Sequence, residues 1–330
     1  MKYKRILFAS IFSRLFGAVL LTLPFVSCKT STAPNEANWT AVNTGMGSTS
    51  VVSLVVSGKN LFAGTQSGGG ISEGVFLSTN NGTNWTPVNN GLTTGTSNST
   101  VSSFAVIDMN IFAGSDIGIF LSTNNGGNWT DANNTLPPHP GVNALVANGI
   151  NLFAGTVNYG VFLSSDHGAS WTAVNTGLPN TYVIAFVVSG SNLFASTPNS
   201  VSVSTNNGSN WTEVNTGLLN NRVNALAVSD TNIFAGTQSG GVFLSSNNGT
   251  NWTQVNAGLK GAYVSALAVS GKNLFAGTDR GIFLSTDNGT NWTSVNAGLG
   301  ENVINVLAVS GTSIYAGTDV GVWRRSLPSF

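Results

Sequence analysis

A Trp-Thr pair recurs at Trp39, Trp85, Trp129, Trp171, Trp211, Trp252 and Trp292, at intervals of 46, 44, 42, 40, 41 and 40 residues, and each pair opens a near-copy of the same stretch of sequence. This period restricts the fold more than any other feature of the chain. A unit of about 40 residues cannot bury its own apolar face and is stable only when stacked on like neighbours.

The best-kept copy, Trp211 to Ser245, reads WTEVNTGLLNNRVNALAVSDTNIFAGTQSGGVFLS. It holds four segments of strand character: an alternating Trp-Thr-x-Val-Asn, a small apolar run such as Val223 to Val228, then Ile233 to Thr237 and Val242 to Ser245. Between them lie Asn-Thr-Gly, Ser-Asp-Thr-Asn, Gln-Ser-Gly-Gly and Asn-Asn-Gly, which favour turns. No stretch carries a 3.6-residue apolar period, so the chain reads as all-β. Four short strands per 40-residue unit is the pattern of a β-propeller, and seven units predict seven blades of four antiparallel strands. Ala or Ser at the third position of the small run (Ser53, Ser103, Ala144, Ala185, Ala225, Ala266) suits the crowded innermost strand. Phe62, Phe112, Phe153, Phe194, Phe234, Phe275 and Tyr315 belong one strand further out. The chain opens with an outermost-type strand at Trp39 and closes with a third-type strand, Gly321 to Arg325. Pairing the two closes the ring and removes both exposed edges.

Composition narrows the function. Charged residues are 7 % of the chain, against about 25 % in an average globular domain. Polarity comes instead from 42 asparagines and from turns built on 40 glycines. Aromatics at 9 % and apolar residues at 41 % exclude a disordered chain. Zero net charge with no basic run argues against nucleic acid. A single Cys excludes an internal disulfide framework and a multi-thiolate metal site.

The first residues differ from the repeats. Lys2, Lys4 and Arg5 precede an apolar run from Ile6 to Ser27 broken by Arg14, the pattern of an export signal. The run ends in Phe25-Val26-Ser27-Cys28, which resembles a bacterial lipobox with Phe in place of the usual Leu; that resemblance implies acylation of Cys28. An ordinary cleaved signal and an uncleaved anchor are the alternatives, since 22 residues are enough to span a bilayer. The expected division is a signal at 1–27, Cys28 with a flexible tether to 38, the propeller at 39–325 and a tail at 326–330. Beyond the signal, eight cations face twelve acids, a net charge of −4.

Six turns between third and fourth strands read STNNGTNW, STNNGGNW, SSDHGASW, STNNGSNW, SSNNGTNW and STDNGTNW, starting at Ser78, Ser122, Ser164, Ser204, Ser245 and Ser285. They resemble the Asp box, Ser-x-Asp-x-Gly-x-x-Trp, of the BNR repeat proteins, which include bacterial sialidases, sortilin-type receptors, some xyloglucan hydrolases and photosystem II assembly factors. Asp remains at Asp166 and Asp287, whereas Asn80, Asn124, Asn206 and Asn247 replace it elsewhere. Asn keeps the hydrogen bonding without the charge, so these boxes are structural and hold no metal. A sialidase, by the resemblance, needs an arginine triad and an Arg-Ile-Pro motif. No Arg lies between Lys29 and Asn221, and Arg324 and Arg325 fall on the closing strand. The basic patch expected of the photosystem factors is missing too.

Ligand candidates therefore sit on the face opposite those boxes. Its first loop position is occupied, in blade order, by Gln66, Asp116, Val157, Pro198, Gln238, Asp279 and Asp319. Asp279, Asp319, Gln66 and Asp116, with Glu73 and Glu301, are expected to form an acidic and amide-bearing arc; Arg222 and Arg280 are its cations. Tyr159, Tyr182, Tyr263 and His139 add rim aromatics. The three Asp-x-Gly turns are also plain turn formers. The expected function is a non-catalytic scaffold, acting as a monomer without cofactor, that binds a protein or polysaccharide at the cell envelope and meets the membrane only through its N-terminus. A glycoside hydrolase or lyase using Asp279 and Asp319 is the alternative, and a purely structural envelope protein is a third.

Overall fold

A computed structural model describes residues 38–66, 74–92, 100–218, 222–261 and 263–327. Cys28, the signal, most of the tether and Glu73 lie outside the described residues. The described chain contains no helix and forms seven four-stranded antiparallel sheets. Blade 5 is typical: inner strand Val223–Ser229, second strand Asn232–Thr237, third strand Val242–Ser245 and outer strand Thr253–Gln254. Each inner strand neighbours the inner strands of the blades before and after it, and the last, Ile304–Ser310, neighbours the first, Ser50–Ser57, so the ring is closed.

Closure follows the expected latch. Thr40 pairs with Arg324 and Ala41 with Trp323. The Val42 amide donates to the Val322 carbonyl at 2.8 Å, and the Val322 amide donates to Asn43 Oδ1 at 2.6 Å. The third strand of this blade runs Gly321–Ser326, and the Leu327 amide still donates to the Thr312 carbonyl at 2.7 Å. The boundary expected at residue 325 thus falls inside a strand.

Apolar packing runs across blades. One cluster joins Phe194 and Val201 of blade 4 to Leu226, Phe243 and Trp252 of blade 5. Another joins Tyr315 and Val322 of blade 7 to Leu61, Phe76 and Trp85 of blade 1, so the closing seam is packed like the rest. At the inner end of six of the seven seams a β-branched residue of one blade presses on a second-strand glycine of the preceding one; blade 4 has Ser196 at that place. A Cβ on Gly236 would lie 2.6 Å from Val264 Cγ1, and one on Gly277 would lie 2.5 Å from Ile304 Cγ2. At these glycines a larger side chain would displace the neighbouring blade.

The repeat tryptophans lock the outer end. The indole N–H of Trp85 donates to the Val42 carbonyl at 2.7 Å, and that of Trp252 to the Val214 carbonyl at 2.8 Å. All seven do the same to the outer segment of the preceding blade, including Trp39 to Val295 across the closure. The sequence suggested only that Trp covers a sheet edge; the structure makes it the link between blades. The Asn-x-Gly-Leu turn beside it is shaped by the same approach. At Gly217, φ is +96° and a Cβ would meet the Trp252 carbonyl oxygen at 2.1 Å. Thr135 is the exception at this position, with φ 67°. Its hydroxyl donates to the Trp171 carbonyl at 2.7 Å and accepts the Trp171 amide at 2.8 Å.

Gly217→Ala combines a left-handed backbone with that clash and is expected to cost more than about 2 kcal/mol. Gly58→Ala, at φ +61° with nothing within 4 Å, is expected to cost only about 1 kcal/mol. Urea unfolding checks the difference. Equal losses would mean that the inter-blade approach adds nothing to backbone conformation.

Candidate ligand-binding face

The six Ser-x-Asx-x-Gly-x-x-Trp turns lie on the lower face and are bonded internally. Ser78 Oγ accepts the Gly82 amide at 2.9 Å and donates to Asn80 Oδ1 at 3.0 Å; Asn80 Oδ1 also accepts the Asn84 amide at 2.9 Å. The residue after the Asx is left-handed in every copy, at Asn81, Asn125, His167, Asn207, Asn248 and Asn288. His167 is therefore an exposed turn residue. The two carboxylates use their second oxygen as well: Ser170 Oγ donates to Asp166 Oδ2 at 2.5 Å, and Asn291 Nδ2 to Asp287 Oδ2 at 2.8 Å. Hydrogen bonding by the Ser170 side chain leads the causes that lower Asp166 to about 2, and the Asn291 side chain leads those that lower Asp287.

A carboxylate held below its ordinary 3.8 favours the folded state above that pH and loses the contribution as pH falls to about 2. An NMR titration should place the Asp166 midpoint near 2. Ser170→Ala should move it up toward 3.8; an unmoved midpoint would remove Ser170 as the cause.

The upper face carries the other loops. Gln66, Asp116, Asp279 and Asp319 end second strands or open the turns after them, and all are exposed. Tyr159 is 40 % exposed on the corresponding loop of blade 3, and His139 is exposed in its proline-rich loop with φ 48°. The expected arc does not behave as one acidic group. Asp319 Oδ1 accepts from Asn305 Nδ2 at 2.8 Å and from Ser50 Oγ at 3.2 Å, so it stitches blade 7 to blade 1. Asp279 instead lines a cleft of about 530 Å³ with Arg280, Asn296, Glu301 and Asn302. The carboxylate that shares this cleft with Asp279 is Glu301, and Asp319 is no part of its lining. The physical reason is the seam: Asn305 stands beside Asp319 and captures it.

Asn305 belongs to a set the sequence reading passed over. Six inner strands contain a register shift at the residue before the small third position, for example between Val223 and Ala225. Such a bulge re-aims a side chain. Asn143 and Asn224 donate through Nδ2 to the Val183 and Val264 carbonyls of the next blade, each at 3.1 Å, and Ser265 Oγ donates to the Ile304 carbonyl. The signal was present as a polar residue inside the otherwise apolar run. Equally missed was the repeat asparagine two residues past the outer strand: its Oδ1 accepts a third-strand amide in all seven blades.

Just before the bulge lies the upper end of each inner strand. The residue ahead of the buried Val51, Val101, Val142, Val183, Val223, Val264 and Ile304 is, in blade order, Ser50, Thr100, Gly141, Tyr182, Arg222, Tyr263 and Val303. Blades 1 to 3 present small residues around the axis there; blades 4 to 7 present large ones. Arg222 and Tyr182 meet, with the guanidinium carbon 5.5 Å from the ring centroid and Nη2 3.5 Å from the Tyr182 hydroxyl. The Arg222 carbonyl accepts the Gln238 amide at 2.8 Å, and that of Tyr263 accepts the Asp279 amide at 3.3 Å, which fixes both to the adjoining turns. Arg222 is half-buried, whereas Tyr263 is 40 % and Val303 44 % exposed. Arg324 and Arg325 are remote from this group: they donate to the Asn81 carbonyl at 3.1 Å and the Val295 carbonyl at 2.9 Å on blade seams.

The chain is a seven-bladed β-propeller with an asymmetric upper mouth. Residues 109–237 match a family described as the DUF6242 beta propeller domain. No curated protein matches the chain. Among solved structures it is similar to the extracellular domain of BT4673 from B. thetaiotaomicron, at 17 % identity and TM-score 0.73 over 89 % of this chain and 40 % of that one. It is similar to YCF48 bound to D1 peptide, at 14 % identity and TM-score 0.70 over 89 % and 98 %. It is also similar to a GH74 xyloglucanase from Xanthomonas campestris, at 18 % identity and TM-score 0.69 over 89 % and 54 %. The chain thus spans 40 % of the length of the BT4673 domain. At these identities the likeness is one of fold.

Proposed function

We propose that this protein is an exported propeller of the Asp-box class, held at a bacterial envelope by a lipid on Cys28, whose upper face binds a protein or a glycan without catalysis. The observation that carries the reading is the Tyr182–Arg222 stack, with Tyr263 at the equivalent position of the next blade, a polar and aromatic set at the upper ends of consecutive inner strands. The bonding of the six lower turns supports the Asp-box assignment. The charged start, the apolar run and Phe25-Val26-Ser27-Cys28 support export and lipidation.

A hydrolase reading draws on the fold shared with the xyloglucanase, but Asp319 is committed to Asn305 and Ser50. The test pairs a glycan array and an envelope pull-down with a polysaccharide-degradation screen. A partner retained by wild type and lost on Tyr263→Ala, with Asp279→Asn plus Asp319→Asn silent in the screen, is the expected result. Sugar release that disappears in the double variant would establish the hydrolase instead, and no partner at all would favour a purely structural role. Palmitate labelling of wild type but not of Cys28→Ser is expected; equal labelling would move the anchor elsewhere.

A further inference from the structure

Of the seven cations beyond the tether, three gather on the upper face in blades 5 and 6: Arg222, Lys260 and Arg280. Lys260 and Arg280 line a second cleft of about 460 Å³ with Phe283 and Trp292. Arg280 also borders the cleft that holds Asp279 and Glu301, so one guanidinium stands between the two hollows. Blades 1 and 6 place lysines, Lys59 and Lys272, on the opposite face. The upper-face cations thus fall in one sector, together with the carboxylates of Asp279 and Glu301, and the mouth residues Tyr182, Arg222 and Tyr263 belong to the same blades or the one before them.

From this we infer that the sector is a binding site for an acidic oligosaccharide, in which Arg222 receives the carboxylate of a uronic acid residue and Tyr263 underlies a sugar ring. The inference rests on the binding reading above and narrows it to one ligand chemistry. Stacking on Tyr182 covers one face of the Arg222 guanidinium. A planar fork of N–H donors matches the two oxygens of a carboxylate. The bond to the Tyr182 hydroxyl, at 3.5 Å, satisfies little of that donor capacity. Tyr263 offers an exposed aromatic face one blade away, an amphipathic surface suited to the C–H side of a pyranose. The larger of the two clefts is lined by the polar and charged side chains Asp279, Arg280, Asn296, Glu301 and Asn302, which suits a hydroxyl-rich ligand. Across the axis the corresponding positions hold the small residues Ser50, Thr100 and Gly141.

Calorimetry on the propeller should compare hexameric oligogalacturonate, oligoglucuronate and oligomannuronate, the methyl ester of each, a sulfated neutral hexasaccharide and a hexaglutamate peptide. At least one hexauronate is expected to bind, with esterification weakening it at least tenfold. Arg222→Gln and Arg222→Lys should each lose at least tenfold, because an ammonium cannot supply the fork. Tyr263→Ala should also weaken binding. Lys59→Gln, the same charge change on the lower face, should leave affinity unchanged, and thermal melts should show every variant folded. If Lys59→Gln weakens binding as much as Arg222→Gln, attraction is diffuse and the site is overturned. Preference for the peptide or the sulfated sugar overturns it, as does failure of all three uronates. If the uronates fail while a neutral glycan or a protein partner is still lost on Tyr263→Ala, the inference falls and the broader binding reading stands.

Discussion

The structure depends on one hydrogen bond made seven times: an indole N–H of each blade donating to a carbonyl of the blade before it. Every repeat Trp is 2–5 % exposed, and the bonds of Trp39, Trp85 and Trp171 are fully buried, so losing the donor there strands a buried carbonyl. The same side chain fills the gap between sheets. A four-stranded sheet with a two-residue outer strand, such as Thr253–Gln254, has little stability of its own. The ring turns seven marginal sheets into one cooperative body, and Trp39 reaching Val295 makes it a ring.

That constraint sorts the repeat residues by whether they face a seam. Trp, the glycine behind it, the second-strand glycine and the β-branched inner residue all sit where two blades nearly touch. Where the pattern departs, the chain compensates locally. Thr135, which stands where the other repeats have glycine, replaces a backbone bond with its hydroxyl. Tyr315, in place of the usual Phe, donates to the Asn81 carbonyl across the closing seam at 3.2 Å.

The fold was legible because strand period, turn composition and repeat length all pointed the same way. The latch was legible because a strand missing at one end was present at the other. The site was less so. Loop alignment grouped Asp279 with Asp319, Gln66 and Asp116, whereas in the structure Asp279 shares a cleft with Arg280 and Glu301 and Asp319 is drawn off by Asn305, whose side chain is aimed by a bulge. A bulge depends on one extra residue in a ladder, which the spacing of apolar residues does not reveal. The Tyr182–Arg222 stack needs two loops from consecutive blades. Its signal was the shared position of both residues one step before a buried valine, visible only once the inner strands were aligned on that residue.

Function on this fold belongs to what breaks the seven-fold sameness, and those departures fall largely on the upper face while the lower turns repeat. The mouth is only as well placed as the ring beneath it, so the ring is the claim to test. Hydrogen exchange at the seven repeat indole N–H groups tests it most directly. All seven should exchange through one opening event with a common free energy, and Trp39→Phe should accelerate the other six together. Exchange at independent rates, or a Trp39→Phe effect confined to blades 6 and 7, would contradict a ring held as one unit.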